Sequence, residues 1–113
     1  TMEMPNEETE INGEHATAVF RITQEALTNI VRHANAKNVN IQMKVKNSEI
    51  SLKVKDDGRG IRNKNMVQSN KTFGVFGMKE RASSLGGALK INNNSIKGTM
   101  VHLTLPYKLK RGA

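Results

Sequence analysis

The stretch "ISLKVKDDGRGI", residues 50–61, decides how the chain is read. Ile50, Leu52 and Val54 alternate with polar residues, the period of a strand with one covered face. One further step of two puts Asp56 on that same face. A carboxylate aimed into a covered layer needs a donor, which either the protein or a ligand must supply. Just past it, Gly58 and Gly60 remove two side chains and leave open space beside the acid. Asp-Gly is also a strong turn signal, so the segment alone fits either a plain turn or an acceptor at the mouth of a pocket.

Upstream, Val39, Ile41, Met43 and Val45 alternate in the same way, and Asn47-Ser48 supplies a turn, so residues 39–54 predict an antiparallel pair of strands. Before it, from about Glu14 to Asn35, Val19, Ile22, Ala26, Ile30 and Ala34 recur at steps of three or four and predict a long helix. Downstream of Ile61, "RNKNMVQSNKT" has neither period and reads as a mobile loop of the length usually found in functional lids. A shorter helix follows from about Gly77 to Leu85, with Met78, Ala82 and Leu85 on one face and Gly86-Gly87 as its stop. Leu89 and Ile91, an asparagine-rich turn, and Thr99, Val101, Leu103 and Leu105 then give a second hairpin, closed by Pro106. Helix, hairpin, loop, helix, hairpin is the order of an α+β sandwich with its helices on one face of the sheet.

At 113 residues the chain fits one domain with a single core. It has no cysteine, hence no disulfide or thiolate metal site, and no apolar run near the roughly 20 residues of a membrane helix. The net charge of +8 conceals an asymmetry, because residues 1–14 hold five acids and no base. The remaining 99 residues carry all 18 bases against five acids, a balance of +13 that favours polyanionic partners. Residues 1–13 read as an acidic tail or linker, 14–107 as the domain, and "YKLKRGA" from Tyr107 as the start of a basic tail, 108–113 lying beyond the domain.

Two more segments bear on chemistry. Along the first helix Glu25, Asn29 and Arg32, with His33, occupy an arc of about 100° beside the apolar stripe. Asn and Glu oxygens are hard ligands of the kind Mg²⁺ accepts alongside substrate phosphates, although such residues are equally at home on a solvated helix edge. "GVFGM", residues 74–78, places Gly74 and Gly77 where the loop enters the second helix, and a helix N-terminus with little side-chain bulk attracts phosphate.

Taken in order, "QEALTNIVRHANA", "DDGRGI", "GVFGMKERASSLGG" and "KGTMVHLTLP" resemble the nucleotide-binding boxes of the GHKL ATPases over residues 16–107. The forms "FRITQEALTNIVRHA" and "GVFGMKER" look most like the catalytic domain of sensor histidine kinases paired with helix-turn-helix response regulators. The resemblance implies a two-layer sandwich with a mixed sheet, and ATP and Mg²⁺ as ligands. It implies that Asp56 accepts from the adenine amino group, that Gly58, Gly60 and Ile61 shape the pocket, and that Thr99 supports it through water. By the same likeness Asn29 holds Mg²⁺ with Glu25 nearby, Arg32 or His33 contacts phosphate, and Gly74 and Gly77 sit at the lid hinge. Glu25 matches the acid that activates water in gyrase-like relatives, whereas histidine kinases assign the base to an acid beside the phospho-acceptor.

The acceptor histidine of that family lies on a separate helical domain, which residues 1–14 are too short to be; His15 reads as a surface or capping residue and His102 as structural. The implied parent is a membrane-anchored homodimer with this domain in the cytoplasm, no nucleic-acid partner, and a response regulator reached indirectly. The alternatives are an anti-sigma-factor type of GHKL serine kinase, against which "MKER" argues, and a basic nucleic-acid-binding module. Three Phe and one Tyr leave little for base stacking in the latter.

Overall fold

Asn47 and Ser48 both adopt positive φ, 54° and 60°, the backbone of a two-residue hairpin turn whose twist matches its strands. That turn joins β2 (Val39–Lys46) to β3 (Glu49–Asp56) and sets every pair of the ladder from Lys46 opposite Glu49 to Val39 opposite Asp56. The computed structural model of the chain describes residues 1–3, 11, 13–34, 36–58, 74–93 and 98–107.

β3 pairs antiparallel with β5 (Thr99–Pro106), which in turn pairs with β4 (Ala88–Asn93), completing the two expected hairpins. A two-residue strand, β1 (Met2–Glu3), lies parallel to β2 at Ile41 and Gln42, giving a mixed five-stranded sheet in the order β1-β2-β3-β5-β4. The start of the segment read as an acidic tail is therefore part of the sheet; residues 4–10 lie outside the described residues.

Both helices cover one sheet face. Ala18, Ile22 and Ala26 of α1 (Gly13–Asn29) and Val75, Met78 and Ala82 of α2 (Val75–Ser84) meet Ile50, Leu52, Val54, Val101, Leu103 and Leu105 in one buried cluster. Steps of four along α1 set the buried stripe one residue before the expected Val19, which is half-buried. Burial of seven large side chains almost completely, Ile22 and Leu103 among them, makes this cluster the main source of stability. α2 starts two residues earlier than its apolar period indicates and stops as expected, with the Gly86 and Gly87 N–H groups donating to Ser83 and Ala82 carbonyls.

Two departures have local causes. The first helix is α-helical only to Asn29; over Ile30–Ala34 it widens into a π-turn. The Thr28 hydroxyl, which donates to the Gln24 carbonyl one turn back at 2.9 Å, competes for an acceptor of the ladder just before the switch. Tyr107, at the boundary between the domain and the basic tail, is 6 % exposed, and its N–H donates to the Ser48 carbonyl at 2.8 Å. The His15 ring packs on it at 5.1 Å between centroids while His15 Nε2 lies 3.1 Å from the Pro106 carbonyl, so the half-buried His15 ties the start of α1 to the end of β5. His102 faces away from the core as expected, 3.2 Å from the Ser51 hydroxyl. Burial first, and then Lys53, hold its pKa below the ordinary value; Glu49 pulls the other way, and Lys90 adds the smallest lowering.

Candidate functional site

β3 buries Ile50, Leu52, Val54 and finally Asp56, whose carboxylate is the one buried charged group among the described residues, at 5 % exposure. Its Oδ1 accepts from the Gly58 N–H at 2.8 Å, a short loop of the chain back onto its own side chain. Among the described residues no second donor reaches that carboxylate. A buried carboxylate has roughly four lone-pair positions, so most of its accepting capacity is left unused by the described residues.

The next residue does the opposite. Asp57 points to the other side, where Oδ1 accepts from the Lys37 and Asn38 backbone N–H groups at 2.8 and 2.9 Å and Oδ2 from the Asn38 amide at 2.9 Å. Those bonds, Asn38 foremost, hold its pKa down from 3.8 to about 2. Asp57 is thus a clasp between the open ends of β2 and β3. The sequence reading gave it no role, although counting back from the Asn47-Ser48 turn pairs position 38 with 57.

β5 supplies the other wall. The last ladder pair is Lys55 with Met100, so Asp56 stands one step on, opposite Thr99 and on the same face. Gly98 precedes it at φ +93°, and a Cβ there would lie 1.8 Å from the Asp56 carbonyl oxygen and 2.9 Å from Asp57 Cα. Only a residue without a side chain lets the two strands close at the acid. "KGT" carries this signal, a glycine immediately before a strand, but no role was drawn from it.

On the helical side Glu25 and Asn29 are half-buried and share an edge of α1. Arg32, beyond the change to π-helical geometry, is exposed, as is its neighbour Val31 at 85 %. The His33 side chain, Gly60, Ile61 and the loop that follows lie outside the described residues. Glu25 reaches across to α2, for a Cβ built on Gly74 would fall 2.3 Å from Glu25 Oε1. Gly74, at φ 64°, is the N-cap of α2, so an acid lies over the positive end of that helix. Gly77 lies within the first turn, exposed, with nothing within 4 Å of a built Cβ. Of the two glycines only Gly74 has a backbone that a side chain would strain.

A Mg²⁺ ion suits this donor set only in the manner of a phosphate-bound metal. No group of three or more His, Cys, Asp and Glu able to hold a metal occurs among the described residues. The Asn29 amide and Glu25 carboxylate offer two hard oxygens, consistent with a cation whose remaining ligands are substrate phosphates and water.

The family described as histidine kinase-, DNA gyrase B- and HSP90-like ATPase matches residues 14–109. Among curated proteins, the chain is 40% identical over 88 residues to the sensor histidine kinase LiaS of Bacillus subtilis, covering 78% of this chain and 24% of that protein. It is 38% identical over 102 residues to the histidine-protein kinase/phosphatase UhpB of Salmonella typhimurium, covering 90% of this chain and 19% of that one. The chain therefore spans about a fifth to a quarter of the length of these relatives. Among solved structures, the histidine kinase domain of the Erythrobacter litoralis EL346 blue-light activated kinase superposes with a TM-score of 0.76 at 23% identity, over 93% of this chain and 50% of that one. The ATP binding domain of PrrB from Mycobacterium tuberculosis gives 0.70 at 20% identity, over 81% and 68%. Both likenesses concern the fold.

Proposed function

Because the chain belongs to the family of histidine kinase-, DNA gyrase B- and HSP90-like ATPases, we propose that it binds Mg-ATP and holds the γ-phosphate for transfer to a histidine on a separate helical domain. In this reading it is the catalytic domain of a two-component sensor kinase. The observation that carries it is the state of Asp56, a buried carboxylate with one backbone donor and no second donor among the described residues.

The adenine amino group donates to Asp56, which selects a purine bearing that group over one bearing a carbonyl in its place. Thr99, opposite Asp56, supports the contact through water, and Gly58, with Gly60 and Ile61, leaves room for the ring. Asn29, with Glu25, would hold Mg²⁺, which when bound neutralises phosphate charge and aligns the transferred group. Arg32 or His33 contacts the phosphates. Gly74, with Gly77 close by, lets the segment before α2 change course over the nucleotide, and the position of Glu25 over Gly74 supports a link between the metal edge and that hinge. Transfer itself rests on positioning and charge neutralisation by these groups.

The small share of LiaS and UhpB that the chain spans supports an acceptor histidine carried elsewhere in a longer kinase. That kinase is read as a membrane-anchored dimer with this domain on the cytoplasmic side, passing phosphate onward to a response regulator. No helix among the described residues is long and apolar enough to cross a membrane.

Calorimetric titration with Mg-ADP tests the reading. Asp56→Asn swaps an acceptor for a group that presents N–H to the amine, and a charged hydrogen bond is worth about 1.5–3 kcal/mol, so affinity should fall about ten- to hundred-fold. Asn29→Ala should weaken binding with Mg²⁺ present more than in EDTA. Unchanged affinity of a folded Asp56→Asn protein would reject the adenine assignment, and equal losses with and without metal would reject the role of Asn29.

A further inference from the structure

The sheet face opposite the helices carries Lys44, Lys46, Lys53, Lys55 and Lys90; of the described carboxylates on that side, Glu49 stands across the ladder from Lys46 and Asp57 is held at the strand ends by Lys37 and Asn38. Register gathers the charges. Lys53, His102 and Lys90 lie side by side across β3, β5 and β4, and Lys55 is one row away. Lys53 and Lys90 both lower the pKa of His102 at the centre of the face, against an opposite pull from Glu49. Both helices pack on the other side, in the buried cluster, and no described element covers this one.

What the face lacks identifies its partner. Protein interfaces concentrate their energy in buried aromatic or large apolar anchors, and here the described strands offer Met100, half-buried, with no Phe, Tyr or Trp. Single-stranded nucleic acid is held on sheets by stacked aromatic rings, which are absent for the same reason. Spread lysines without anchors match a surface of many weakly fixed anions, to which each adds a small increment without a docked geometry. We infer that this lysine face rests on a bilayer surface rich in anionic lipid headgroups.

Flotation of the whole chain with phosphatidylcholine vesicles, with and without phosphatidylglycerol, tests this. Binding is expected to the anionic vesicles alone and to fade as salt shortens the screening length from about 30 Å at 0.01 M to about 8 Å at 0.15 M. Each lysine is expected to contribute about five-fold, so Lys53→Gln, Lys55→Gln and Lys90→Gln together should lower vesicle affinity on the order of a hundred-fold. A second variant, Lys44→Gln with Lys46→Gln and Lys90→Gln, alters only exposed side chains and keeps the fold intact. Mg-ADP titration of each variant reports separately on the nucleotide site, so loss of vesicle binding with nucleotide binding retained supports the inference. Equal binding to neutral vesicles, no binding to anionic ones at low salt, or unchanged vesicle binding in both variants overturns it. So does duplex DNA binding as tight as vesicle binding and weakened by the same substitutions.

Discussion

Gly98→Ala probes the closest backbone approach at the site. The added methyl would sit 1.8 Å from the Asp56 carbonyl oxygen, where an ordinary carbon–oxygen contact is about 3.3 Å, so the strands must part by about 1.5 Å. The obstacle is backbone, which cannot rotate aside as a flexible side chain would. Two costs then add. A non-glycine residue at φ +93° costs about 1–2 kcal/mol, and forcing extra volume into a packed position a further 1–3 kcal/mol. A loss of about 2–5 kcal/mol is a large part of the 5–15 kcal/mol that holds a typical domain together. At about 4–8 °C per kcal/mol, melting should fall by at least 8 °C or so. The displaced strand carries Asp56 with it, so the fraction that remains folded should bind Mg-ADP at least about ten-fold more weakly. Urea unfolding and calorimetry on the parent and Gly98→Ala proteins measure both. A variant that melts within a degree or two of the parent and binds nucleotide equally well would show that β5 does not close on Asp56 in this way.

Gly77→Ala, in open space within a helix turn, should raise stability by about 0.5–1 kcal/mol in urea unfolding, whereas Gly74→Ala, with φ 64° and Glu25 against it, should lower it. Asp57→Asn should lower the melting temperature at neutral pH, because the amide cannot accept from Asn38 as the carboxylate does. The folded pKa lies below the unfolded one, so the stabilisation is complete above about 4 and is lost as pH falls toward 2; the melting difference between parent and variant should close over that window. Tyr107→Ala should cost about 3 kcal/mol or more, read as a shift of the urea midpoint, since it empties a buried site against His15.

The hairpins, the inward path of Asp56 and the single-faced layer of helices follow from period and turn chemistry alone, because a strand pattern of two is rigid and a turn sets its register. Where the chain obeys no fixed period, sequence says less. The π-turn at Ile30–Ala34 keeps the same apolar spacing as an α-helix, so the change of geometry between Asn29 and Arg32 is not visible in the sequence. Tyr107 follows a proline and precedes basic residues, and composition hides its place in the core. Gly74 and Gly77 look alike in "GVFGM", yet only the contact with Glu25 tells a backbone requirement from a helix position that tolerates a side chain. Met2 and Glu3 join the sheet by backbone pairing with β2, which needs no residue pattern.

The Asn47-Ser48 turn lies at the far end of the hairpin from the acids, eight residues or about 26 Å along β3. Side chains alternate, so the turn acts as a counter whose parity chooses between two chemically identical neighbours. One residue more or fewer there would swing Asp57 inward and Asp56 out to the clasp, along with every lysine and leucine between. Two adjacent aspartates thus have unlike duties for a reason located at neither of them, and an insertion remote from the pocket could silence it while leaving every pocket residue unaltered in kind.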